Sequence, residues 1–342
     1  MELIREYGTK KLPAPLDAGI MYTISAVYYV YVSQLLTVIG LQSEVNLVLS
    51  EILFFAVPPI VLAFLKKYDI KKTFRLKAPR PLEVLLMLVI SPVMILAGVC
   101  SGFLALMAVK VIFGRVYLAG DLVQLMSNNI LVSLFIVAVV PAVCEELLFR
   151  GMIQRGLEKL GAGWGIFLSG LLFGLFHFDF QRLAAQTLIG FIAAYAVYRT
   201  GSIFNGMILH FMNNGLLTLL SNSFYSLDSG STQVVADPFA TEDFIAGARE
   251  MGMTLEQFLG YLSAIFVVIL IFSLFVIFGL LLILNRITRN TVEKPVTEKG
   301  LAMGLLAGIP GLILIAVVYT SLGLTLLNND LGLQILRFLG MA

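Results

Sequence analysis

A chain of 342 residues that is 59% hydrophobic and only 13% charged is not a soluble domain, since soluble proteins carry about a quarter charged residues. Its net charge of +2 gives no field for acidic partners and argues against nucleic-acid binding. Long apolar runs predict an all-α, polytopic transmembrane helical bundle forming a single membrane domain over 1–342.

The first seventeen residues mix Arg5, Lys10 and Lys11 with Glu2, Glu6 and Asp17. The run after them has no clear small-residue cleavage site, so an uncleaved first span is expected. Apolar runs follow at roughly 18–40, 46–65, 83–109, 129–155, 163–178, 183–199, 202–220, 258–284 and 301–327, about eight or nine spans at ~20 residues each. The fifth and sixth are short, so the turn Phe178–Arg182 is expected inside the membrane. Cys100 and Cys144 both lie in apolar runs, which does not indicate a disulfide framework.

With the N-terminus in the cytoplasm, 18 of the 23 Lys and Arg residues fall on inside segments, as the positive-inside rule requires. The basic stretch 66–80 then reads as a topology determinant that also meets anionic lipid. The hydrophilic connection 221–257 is acidic and is expected outside, as a connector or a substrate-recruiting lid. Within it, Thr241-Glu-Asp can start a short helix, and Thr254-Leu-Glu-Gln257 has capping-box spacing before the eighth span. Gly170…Gly174 and Gly304…Gly308 have the spacing for close helix approach within the chain. Residues 331–342 suit an apolar helix at the outer interface, while Trp164 and Tyr198 suit interface anchors. Oligomeric state is not legible.

Chemistry concentrates in the fourth, fifth and seventh runs. Glu145, Glu146 and Arg150 sit near the end of the fourth, and ionisable residues within hydrocarbon mark a functional site by default. Glu146 and Arg150 are i and i+4, the spacing of an ion pair, which leaves Glu145 as a second carboxylate. The two histidines of the chain, His177 and His210, fall in the fifth and seventh runs. Counted from a turn near 160–163, Glu145 and His177 both lie ~22–26 Å away and reach similar depth. His210 matches them if the charged end, Arg150 to Lys159, projects ~10 Å beyond the membrane surface. Phe173 is one turn before His177 and Asn214 one turn after His210. A carboxylate and an imidazole sharing a water suit general-base activation, and an imidazole beside an amide suits a developing oxyanion. The combination reads as hydrolysis of an acyl bond, most simply a peptide bond. Cys144 reads as a small buried side chain rather than a nucleophile. Asp179 and Arg182 are expected to pair with each other or to meet the water of the site. Asn213 lies off the His210 face.

Three motifs then resemble a known family: Glu-Glu-Leu-Leu-Phe-Arg (145–150) its EExxxR, Phe-Gly-Leu-Phe-His (173–177) its FxxxH, and His-Phe-Met-Asn-Asn (210–214) its HxxxN. The chain is similar over 129–222 to the CPBP family of CAAX prenyl endopeptidases and Abi/bacteriocin-processing proteins. The resemblance implies an intramembrane endopeptidase with this region as catalytic core and a membrane-associated protein or peptide as substrate. Glu145 and His177 would activate the water, His210 and Asn214 hold the oxyanion, and Glu146, Arg150 and Phe173 support the site. No cofactor is required on that scheme. The alternative is Zn²⁺ on His177, His210 and Glu145, although no HExxH spacing is present. Localisation follows as a multi-pass plasma-membrane protein whose site opens to the cytoplasm. Two other functions compete: a catalytically silent scaffold, regulator or immunity protein, and a proton-coupled transporter. The transporter expectation is weakened by the lack of paired halves.

Overall fold

The computed structural model describes residues 11–32, 43–116, 129–225, 239, 241–293, 295–297 and 301–341. Residues 33–42, from the end of the expected first span into its connection to the second, and residues 226–238 and 240 of the acidic connection lie outside the described residues. The architecture is an all-α bundle. The helices are α1 (Pro15–Val27), α2 (Glu44–Leu65), α3 (Pro81–Phe113), α4 (Ile130–Leu160), α5 (Ala162–Leu175) and α6 (Phe180–Thr200). They continue with α7 (Ile203–Tyr225), α8 (Glu242–Glu250), α9 (Leu255–Ile287), α10 (Ile309–Leu326) and α11 (Asp330–Phe338). Among the described residues six spans, in α2, α3, α4, α7, α9 and the stretch Ala302–Leu326, are long and apolar enough to cross a membrane, and α5 is a shorter apolar helix.

Local chemistry sets the boundaries. Glu83, in the first turn of α3, accepts from the Arg80 backbone N–H at 2.9 Å, and Gly114 ends that helix in the left-handed conformation (φ +76°). Asp179 caps α6 through the Gln181 N–H at 2.8 Å, while also meeting Arg182 at 3.5 Å. Thr254 and Gln257 form the expected reciprocal cap on α9, at 3.0 and 3.2 Å.

Helix α4 lies at the centre, against α1, α2, α5 and α7. One core joins α1, α2, α4, α5 and α10, and a second joins α3, α6, α7 and α9. Glycines permit the closest approaches. A Cβ on Gly170 would meet the Phe191 backbone N at 2.8 Å, and one on Gly304 the Leu16 backbone N at 2.6 Å. Both small-residue pairs therefore serve packing within the chain. Helix α11 is amphipathic rather than wholly apolar: Leu336 is buried, whereas Leu331 and Phe338 are exposed.

Along the charged end of α4, Arg150, Gln154, Arg155 and Glu158 are all buried within the bundle. Glu158 accepts from Arg75 at 2.6 Å, from Arg155 at 3.1 Å and from Gln154 at 3.1 Å. A buried carboxylate is tolerated when such donors surround it. The local sequence lacks the sign of this because Arg75 is supplied from the loop before α3.

A second acid knot ties α1 to the end of α2. Asp17 is buried and takes hydrogen bonds from Lys66, from Tyr68 at 2.6 Å and from the Ala14 N–H at 2.8 Å. Burial works against the ionised carboxyl, but these donors outweigh it and hold Asp17 below its ordinary range. Stability from this knot is therefore fully present above the unfolded value of about 3.9 and is lost as pH falls through the lower folded value. Thermal melts of the detergent-solubilised protein between pH 6 and the acid limit should carry this loss. Asp17→Asn should melt lower at neutral pH and lack this component of the acid dependence.

Candidate active site

Two stretches of α4 are wound as π-helix, Phe135–Val139 and Leu147–Ile153, a form common at functional sites. Between and within them sit the acidic pair and Arg150. Glu146 and Arg150 are both fully buried and meet at 2.9 Å. The same Glu146 oxygen faces His210 Nδ1 at 3.2 Å, so one carboxylate joins α4 to α7. Helix α7 can come this close because residue 206 is glycine: a Cβ there would lie 2.4 Å from Glu146 Oε2. Arg150 extends the joint to two more helices. Its guanidinium carbon stands 4.5 Å from the Phe173 ring centroid, and its Nη2 donates to the Gly190 carbonyl at 3.3 Å.

Phe173 links the two imidazoles. Its ring packs edgewise on His177 at 5.0 Å and on His210 at 5.7 Å. Phe149 packs on Phe173 at 5.1 Å, edge to face, and so joins the acidic stretch of α4 to α5. His177 follows the end of α5 and contacts the Phe173 carbonyl through Nδ1 at 2.9 Å. A carbonyl only accepts, so Nδ1 carries the proton and Nε2 presents a lone pair.

Asn214 is fixed by a proline on another helix. Pro141 has no N–H to give the Val137 carbonyl four residues earlier. Asn214 Nδ2 donates to that carbonyl at 3.0 Å. Asn213, off the His210 face as expected, donates to Asn214 Oδ1 at 3.0 Å and so orients its amide. Glu145 is half-buried and interacts electrostatically with His210, Glu146 and Arg150. Cys144 is a buried free thiol.

The structure thus gathers Glu145, Glu146, Arg150, Phe173, His177, His210 and Asn214 into one region. It also adds a residue the sequence reading missed, Glu51 of α2, a buried carboxyl within electrostatic reach of Glu145. A lone acid ahead of Ile52-Leu-Phe-Phe was the available signal, since ionisable residues inside spans are rare. Among the described residues no three His, Cys, Asp or Glu side chains are gathered as a ligand set. Both Nδ1 atoms are turned toward protein oxygens.

Removing either partner of the Glu146–Arg150 pair strands the other charge in the interior, typically at a cost of about 3–5 kcal/mol. Glu146→Ala and Arg150→Ala should each lower the thermal midpoint by many degrees. An unchanged midpoint in both variants would remove the supporting role assigned to the pair.

Comparison with known proteins bears on the same region. A family model described as "Type II CAAX prenyl endopeptidase Rce1-like" matches residues 127–216. A Bacillus subtilis protein described as "Putative membrane peptidase YdiL" is 30% identical over 101 residues, which is 29% of this chain and 40% of that relative. The chain therefore spans less than half the length of this curated relative. No solved structure matches. The matched stretch, 127–216, contains all three motifs, 145–150, 173–177 and 210–214.

Proposed function

We propose that the protein is an intramembrane endopeptidase that hydrolyses a peptide bond of a membrane-associated protein or peptide, with 129–222 as its catalytic core. Glu145 and His177 Nε2 take the proton of a water as its oxygen attacks the scissile carbonyl carbon. The developing oxyanion is met by His210 and by the second amide hydrogen of Asn214. In that role His210 carries both ring protons, Nδ1–H held by Glu146 and Nε2–H directed at the oxyanion. The C–N bond then breaks, the proton passes to the leaving amine, and a new carboxyl end remains. No metal is needed in this scheme. The site opens to the cytoplasm of a multi-pass plasma-membrane protein with a cytoplasmic N-terminus.

The observation that carries the reading is the convergence of the three motifs. Imidazoles from two of them pack on one phenyl ring, and Glu145 of the third lies within electrostatic reach of His210. A scaffold needs only the Glu146–Arg150 pair and leaves Glu145 and the Nε2 face of His177 without a task.

Comparative proteomics of membranes carrying the wild type or Glu145→Gln should find a peptide that shortens only with the wild type. With that peptide, Glu145→Gln and His177→Ala should each lower cleavage by at least about a hundredfold while leaving the thermal midpoint near wild type. Wild-type cleavage in either variant would refute the assignment. Purified enzyme should keep its full rate after dialysis against a chelator, and loss restored by Zn²⁺ would replace the scheme with a metal mechanism.

A further inference from the structure

Glu51 opens the π-helical stretch Glu51–Ala56 of α2. Helices α2 and α4 run side by side in the same direction: Ser43–Ser50 meets Phe135–Val139, and Glu51–Ala56 meets Val140–Glu146. That pairing sets Glu51 against the stretch of α4 that carries Glu145, and the two carboxyls are within electrostatic reach of each other. Glu51 is only 7% exposed, and among the described residues its Oε2 has no hydrogen-bond partner. An unsatisfied acceptor in apolar protein lowers stability. Leucine at this position would relieve that cost, so a carboxyl here calls for a task that folding does not set.

The proposed reaction supplies one. A peptide cut at this depth is opened from helix to extended form around the scissile bond, because a helical carbonyl is screened by its own turn. Its backbone N–H groups then lose their partners in a place where water is scarce. We propose that Glu51 is a substrate-binding residue: its carboxyl oxygen accepts a hydrogen bond from a substrate backbone N–H beside the scissile bond and seats the carbonyl against Glu145. This inference rests on the endopeptidase reading. The recognised feature is unwound backbone, which any side-chain sequence can offer. Specificity at this contact is therefore for segments that unwind readily, those with glycine, proline or β-branched residues near the cut.

The test uses the full chain in phosphatidylcholine nanodiscs. Its variants are Glu51→Leu, which removes the acceptor at similar volume, and Glu51→Gln, which keeps one. The probe is an internally quenched peptide carrying the cleavage sequence from the proteomic comparison. Glu51→Leu should raise KM by about tenfold with kcat within about twofold, the sign of lost uniform binding. Glu51→Gln should hold KM within about threefold of wild type, as expected for one retained neutral hydrogen bond. Without substrate, Glu51→Leu should melt at or above the wild-type temperature, because it removes an unsatisfied buried group. A lower melting temperature for Glu51→Leu would make Glu51 structural and overturn the proposal, as would an unchanged KM. Failure to find any peptide that wild type cuts and Glu145→Gln spares would instead count against the endopeptidase reading. The melting comparison would still decide whether Glu51 is structural.

Discussion

A single buried carboxylate, Glu146, organises the centre of this protein. It is fully buried, pairs with Arg150 one turn along the same helix, and faces His210 on α7. Through Arg150 it also commits α5 and α6, by the Phe173 ring and the Gly190 carbonyl. A charge in apolar surroundings must be met by donors on several sides. That requirement fixes where four helices stand relative to one another. The glycine at 206 follows from it, since any Cβ there would press on the carboxylate.

The side chains assigned to chemistry hang on this joint. His177 and His210 share the Phe173 ring that Arg150 also covers. Asn214 is aimed by a carbonyl that Pro141 leaves free, and Pro141 lies only four residues before Glu145. Backbone irregularities in α4 thus do positional work. The proline frees an acceptor for one side chain, and the flanking π-turns alter which faces meet α2 and α7. The buried set at Arg75, Arg155 and Glu158 anchors the other end of α4 in a similar manner. The central helix is held by charge at both ends of the segment that carries the acidic pair.

Much of this was legible in the sequence. Helix positions follow from apolar run length, and the described helices fall within a few residues of the runs read from the chain. The i,i+4 relation gave the Glu146–Arg150 pair directly. Partners far apart in the chain were not legible. Asn214 meets a carbonyl 77 residues away, and Glu158 meets Arg75 83 residues away. The charge at the end of α4 was legible, but the Arg75 guanidinium that covers Glu158 was not. Glu51 read as part of an apolar span, and its burial beside Glu145 arises only when α2 packs on α4.

The central claim is that Glu146 couples the first motif to the third. A double-mutant cycle of Glu146→Gln and His210→Ala, measured on reversible unfolding in bicelles, tests it most directly. Groups in contact within one buried network should show an interaction energy of about 1 kcal/mol or more. Changes that add to within about 0.3–0.5 kcal/mol, the behaviour of independent sites, would contradict the account.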